Sequence, residues 1–207
     1  MIRALDDQVR LGKVLYLGVS DTPAWVVAQM QTLAASRGWA PFTGLQIEYS
    51  LVQREVEREL IPMARGLALG VLAWGPLGAG VLSGKYARPG ARSGERRLAD
   101  VDPGRLAIAR AVADVAGSLG LSSSLVALAW LRSRGGVIPI LGARTAQQLA
   151  DNLACLDVTL PPDALARLDQ ASGIARGFPH DFLAGADYTL GGMSAQLDMP
   201  PGRARYG

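Results

Sequence analysis

Short apolar runs alternate with amphipathic stretches along this chain, a pattern that predicts strands alternating with helices. Val14–Val19 is almost wholly apolar and closes on Ser20-Asp21-Thr22-Pro23, which predicts a buried strand followed by a helix start with an early proline. Helical spacing then runs from Ala24 to about Arg37 and stops near Gly38. A second strand fits Thr43–Glu48, a second helix Arg54–Leu67, and a third strand Leu69–Trp74. Gly75-Pro76-Leu77-Gly78-Ala79-Gly80 breaks that strand, and the Gly-, Arg- and Ser-rich chain to about Pro103 reads as a long loop. Helices follow at Arg105–Ser118 and Ser122–Arg134, a fourth strand at Val137–Leu141, and helices at Thr145–Cys155 and Pro162–Ser172. A Gly- and Pro-rich tail begins at Gly177.

This alternation implies parallel βα units, because parallel neighbours need crossover connections. The strands read as apolar on both faces, as expected where helices cover a sheet. Four strands are few for a closed barrel, however, and leave two edges open.

Composition narrows the class. The chain has 207 residues, 49% hydrophobic and 19% charged, which suits one globular domain with a buried core. The net charge of +3 comes mostly from arginine, Lys13 and Lys85 being the only lysines. The arginines are spread along the chain without a long run and read as solvated faces, which argues against a nucleic-acid surface. Cys155 is the single cysteine, so neither an internal disulfide nor a multi-cysteine metal site is expected. No apolar run approaches a membrane span, and the N-terminus lacks a signal-peptide core, so the expectation is a cytoplasmic protein.

Four segments together carry a resemblance. Gly12-Lys13-Val14-Leu15-Tyr16-Leu17-Gly18-Val19-Ser20-Asp21 resembles the fifth strand of the aldo-keto reductases, and Gly44–Leu51 the sixth. Trp74–Tyr86 resembles the seventh strand and the loop that covers the cofactor. Ile138–Thr145, with Gln148, Asp151 and Asn152, resembles the eighth strand and its helix, while Phe178-Pro179-His180-Asp181-Phe182 is similar to the C-terminal segment. The order and spacing of the four are specific where one alone would be weak. The branch most resembled includes the potassium-channel β-subunit-like reductases.

The resemblance implies an α/β fold: a partial (β/α)8 TIM barrel of about four parallel strands, the family's fifth to eighth. It further implies an NADP(H)-binding half-barrel over residues 1–183 and a partly flexible tail over 184–207. Ser20, Asp21 and Gln46 would meet the nicotinamide carboxamide, and Trp74 would stack on its ring. Asp21 stands where the family often has asparagine, keeping an acceptor and losing a donor. Gly75, Pro76, Leu77 and Gly78 would pass close to the pyrophosphate, and Lys85 would pair with a phosphate; serine is common where Gly75 sits. Gly142, Arg144, Thr145 and Gln148 would hold the 2′-phosphate end, which favours NADP over NAD, and Asp151 and Asn152 the adenine edge.

The family's catalytic aspartate, tyrosine, lysine and histidine come from the first half of its barrel. This chain aligns from just before the fifth strand, and its one histidine, His180, falls in the tail motif. No catalytic residue is therefore assigned. Three readings stay open: a reductase whose first half is missing by truncation, a misplaced start or a split subunit; a non-catalytic NADP(H)-binding or self-associating module; and a structural partner that binds no nucleotide. The substrate is not legible.

Overall fold

A computed structural model describes residues 1–86 and 101–184. Much of the Gly-rich stretch before Pro103 and nearly all of the 184–207 tail lie outside the described residues. In chain order the elements are α1 (Ile2–Arg10), β1 (Leu17–Ser20), α2 (Ala24–Arg37), β2 (Phe42–Glu48), α3 (Leu60–Gly66), β3 (Gly70–Trp74), α4 (Pro103–Leu119), α5 (Ser123–Arg132), β4 (Val137–Pro139), α6 (Ala146–Leu153), α7 (Pro162–Ser172) and α8 (His180–Ala184). Short 3₁₀ turns lie at Glu55–Glu57, Gly78–Ser83 and Ala154–Asp157. The strands form one parallel sheet in the order β1-β2-β3-β4, an α/β arrangement consistent with part of a (β/α)8 barrel.

The chain divides into two compact units. The first comprises residues 1–45, 55–69 and those from Ile174 on; the second comprises 46–54 and 70–173, so β2 contributes to both.

In the first unit, Val27 and Ala34 of α2, Phe42 and Leu45 of β2, and Ile61 and Ala64 of α3 are buried. The buried Gln31 amide takes both backbone groups of Phe42, donating to its carbonyl at 3.0 Å and accepting from its N–H at 2.8 Å. It thereby fixes where β2 begins. Asp6 accepts from the Ala40 amide at 2.9 Å and pairs with Arg10 at 2.6 Å. The Ala40 hydrogen bond chiefly, aided by Arg10, holds the Asp6 carboxyl below the usual aspartate range.

The second unit is built around α5, whose residues Val126–Leu131 are all buried, as a helix apolar on every side must be. Its N-terminus is capped by Ser122, which accepts from the Leu125 amide. α4 is capped by Asp102, which accepts from the Gly104 and Arg105 amides, with Pro103 opening the first turn. No single described helix is long and apolar enough to cross a membrane; α4 and α5 reach that measure only together and meet at a 99° bend.

Three differences from the sequence reading have physical causes. The helix expected over Arg54–Leu67 is a 3₁₀ turn followed by α3, because Pro62 has no N–H to give a continuous helix. Starting at Leu60 instead puts Pro62 in the first turn, where no donor is needed. β1 begins at Leu17 rather than Val14, since the α1 terminus engages the chain beyond it, with Gly12 and Lys13 donating back to the Val9 and Gln8 carbonyls.

The third concerns the sheet faces. In β3, Val71 and Ala73 are buried while Leu72 and Trp74 are exposed; in β4, Val137 is buried and Ile138 is 62% exposed. The parallel register sets Val71 beside Val137 and Leu72 beside Ile138. One face of β3 and β4 is thus covered and the other open, although both are apolar in sequence. An apolar run records a face made to be buried, and cannot say by what.

Candidate functional site

Parallel pairing of β3 with β4 carries the chain segments that leave both strands to the same end of the sheet. Five groups of sequence-assigned residues fall there, all in the second unit: Gln46 on β2, Trp74 closing β3, the Gly75–Gly78 segment with Lys85 beyond it, the Gly142–Thr145 turn after β4, and the first turns of α6. Gln46 is on the exposed side of β2. Trp74 is 36% exposed, on the same side of β3 as Leu72.

The loop after Trp74 has glycine where backbone geometry demands it. Gly75 sits at φ 63°, in the left-handed region where a side chain is strained. Serine, common here in the family resembled, would have to bear that strain or change the turn. Gly78 is constrained twice, by φ 54° and by space, since a Cβ there would stand 2.4 Å from Cγ2 of Val52. The Gly78 amide donates to the Gly75 carbonyl at 2.8 Å, closing the turn around Pro76 and Leu77. Lys85 is exposed beyond it.

At the end of β4, Gly142, Arg144 and Thr145 are exposed, and a Cβ at Gly142 would meet nothing within 4 Å. Thr145 caps α6 by accepting from the Gln148 amide at 3.1 Å, and the Gln148 side-chain oxygen accepts from the Arg144 amide at 3.0 Å. Asp151 is exposed and accepts from Gln147 at 2.8 Å, whereas Asn152 is buried. Ser20, the last residue of β1, and Asp21 after it lie in the first unit. Asp21 has a φ of 45°, a conformation that aspartate and asparagine tolerate better than other side-chain-bearing residues, which accounts for both being found there. The Ser20 hydroxyl donates to Asp21 at 3.2 Å, and Thr22 donates to the Ser20 carbonyl at 2.9 Å.

The residues of the second unit fit a dinucleotide. An indole partly open at a strand end, a glycine turn directly after it, and a capped helix start beside an exposed arginine are suited to a planar ring, a close polyphosphate and an anion. Elsewhere, His180 is engaged with Glu59 at 2.9 Å within the first unit. Cys155 is buried, and burial pushes its thiol up from the ordinary cysteine range, with Arg132 opposing. Among the described residues, no three metal-ligating side chains cluster.

Sequence reasoning overlooked Glu48, Tyr49 and Val52. Glu48 lies 3.5 Å from where a Cβ of Gly75 would be, the Tyr49 amide donates to the Trp74 carbonyl at 3.2 Å, and Val52 underlies Gly78. Their place at the end of β2 and just beyond it was the available signal.

Comparison with known proteins agrees with the geometry. A profile described as the aldo/keto reductase family matches residues 1–172. A probable aryl-alcohol dehydrogenase of Saccharomyces cerevisiae is 34% identical over 183 residues, covering 84% of this chain and 56% of that protein. Norsolorinic acid reductase B of Dothistroma septosporum is 34% identical over 193 residues, 89% of this chain and 48% of its own length. An aryl-alcohol dehydrogenase of Phanerodontia chrysosporium, whose name carries NADP(+), is 33% identical over 207 residues, 92% of this chain and 52% of its own. The chain spans about half the length of the curated relatives it matches.

Proposed function

Because the chain belongs to the aldo/keto reductase family, we propose that it forms the NADP(H)-holding part of an oxidoreductase that interconverts carbonyl groups and alcohols, and that alone it does not catalyse that reaction. The observation that carries the reading is the convergence of Trp74, the Gly75–Gly78 loop and the Gly142–Thr145 turn at one end of the paired strands β3 and β4. Trp74 would hold the nicotinamide ring, Gln46 its carboxamide, the glycine backbone the pyrophosphate, and Arg144 with Gln148 the 2′-phosphate. Lys85 would pair with a phosphate, and Asp151 and Asn152 would serve the adenine end. When bound, the cofactor supplies hydride; the protein must still supply a proton and stabilise the developing alkoxide. A cytoplasmic location belongs to this proposal.

The preference for NADP over NAD rests on Arg144. Replacing Arg144 by alanine is expected to weaken NADPH binding about tenfold and leave NADH almost unchanged, since a charge-assisted contact to the 2′-phosphate is lost. Titrations followed by dihydronicotinamide fluorescence measure both. Equal losses for the two cofactors would refute the assignment.

A second reading, self-association, is favoured by the open apolar side of β3 and β4, where Leu72, Trp74 and Ile138 are exposed together. Apolar surface of this kind favours contact with another copy or with a further half of the barrel. Sedimentation velocity of the chain alone is expected to show concentration-dependent association, reduced by Ile138→Lys. A monomer at every concentration rules this reading out.

A further inference from the structure

At the C-terminal end of β2 the chain leaves the sheet through residues 49–54, and this short segment is fastened at three points, all inside the second unit. At its start, the Tyr49 amide donates to the Trp74 carbonyl at 3.2 Å. In its middle, Ser50 and Gln53 exchange backbone hydrogen bonds of 3.1 and 3.0 Å, a tight turn that presents Val52 to Gly78. At its end, the buried Arg54 donates through Nη1 to Oδ1 of Asp169 at 3.0 Å and to the Ser172 hydroxyl at 2.8 Å.

The anchor for Arg54 is itself built up. Trp130 Nε1 donates to the same Asp169 oxygen at 3.0 Å, and Arg134 donates to the other at 3.2 Å. Both guanidinium carbons lie over the Trp130 ring, 5.1 Å away for Arg54 and 4.4 Å for Arg134. Tyr49 meets the same ring edge to face at 5.8 Å. The two ends of the segment are therefore tied to one indole, Tyr49 through its ring and Arg54 through its charge.

We propose that Arg54 is a positioning residue for the nicotinamide end of the cradle, acting through Asp169 and Trp130 to fix Tyr49–Gln53 and so the Trp74 carbonyl and the floor under Gly78. The proposal rests on the cofactor reading for what the loop holds, but not for how the loop is held. Burying a guanidinium costs desolvation that a well-packed apolar residue would avoid, so stability alone is a poor reason for an arginine here. What the ion pair adds is direction. A planar fork that donates to two acceptors and lies over a ring admits one placement of its backbone, which lysine does not reproduce.

Amide hydrogen exchange on the full chain without cofactor tests the positioning directly. In Arg54→Lys and in Asp169→Asn, which keeps one acceptor oxygen and replaces the other, with the charge, by an NH2 donor, amides of residues 50–53 and 77–82 are expected to exchange about tenfold faster, while α4 and α5 keep their protection. NADPH binding by these variants is expected to weaken about tenfold, while 2′,5′-ADP, which lacks the nicotinamide and pyrophosphate, stays within about twofold. Unchanged exchange at residues 77–82, or an equal rise across α4, α5 and α7, overturns the proposal. So does an equal loss of affinity for NADPH and 2′,5′-ADP. If the wild-type chain binds neither probe, the cofactor reading fails, and the exchange pattern alone decides the role of Arg54.

Discussion

Trp130→Ala is expected to destabilise the second unit by about 3–5 kcal/mol, the range for truncating a fully buried aromatic side chain. Trp130 has no exposed surface and sits on α5, the helix that unit is packed around. Removing it also deprives Asp169 of its indole donor and takes the ring from beneath Arg54 and Arg134. The two arginines would remain paired with one carboxylate, beside the cavity left by the ring. Trp130→Phe separates these contributions. It keeps an aromatic ring near both guanidinium groups but loses the N–H, and is expected to cost about 1.5–3 kcal/mol, as for a hydrogen bond to a charged group. Urea unfolding followed by far-ultraviolet circular dichroism measures both, with the midpoint falling and the slope unchanged. An alanine variant within 1 kcal/mol of wild type, by the same unfolding analysis, would show that the indole is not the centre of this core.

The second large effect concerns the reaction. The purified chain, freed of host reductases, is expected to reduce an aldehyde with NADPH at least about four powers of ten more slowly than a complete reductase of the family, because none of its residues is assigned as the positioned acid or as a donor to the carbonyl oxygen. Tyr49 is buried against Trp130, and His180 is paired with Glu59. Bound NADPH would bring hydride but no proton. Progress curves at saturating cofactor, compared with the same chain carrying Trp74→Ala, check this. Rapid turnover that vanishes in the variant would mean that this chain carries an acid not yet identified.

Much of the fold was legible because burial imposes local periodicity. The bounds of α2 and α7 match their spacing and their proline or glycine ends, and each of the four strands was found near its place. What escaped depended on groups distant in sequence. Nothing local announces that Pro62 must begin a helix rather than interrupt one, though its missing N–H decides it. Nothing in an apolar strand says that Leu72 and Ile138 would be open while Val71 and Val137 are covered.

The loops of the candidate site were legible for a different reason. Strand ends followed by Gly-Pro-Leu-Gly or Gly-Ala-Arg-Thr concentrate their chemistry within a few residues. The clamp formed by Arg54, Trp130 and Asp169 draws on positions 39 to 115 residues apart, and only the folded chain brings them together.

The account stands or falls on whether this chain holds a nicotinamide dinucleotide at Trp74. NADPH titrated into the purified, folded chain, with tryptophan quenching and dihydronicotinamide emission read together, is the measurement to make first. Saturable binding that weakens about tenfold to a hundredfold in Trp74→Ala, with the circular dichroism unchanged, is the predicted result. Absence of saturable binding, or binding indifferent to the loss of that indole, would contradict it.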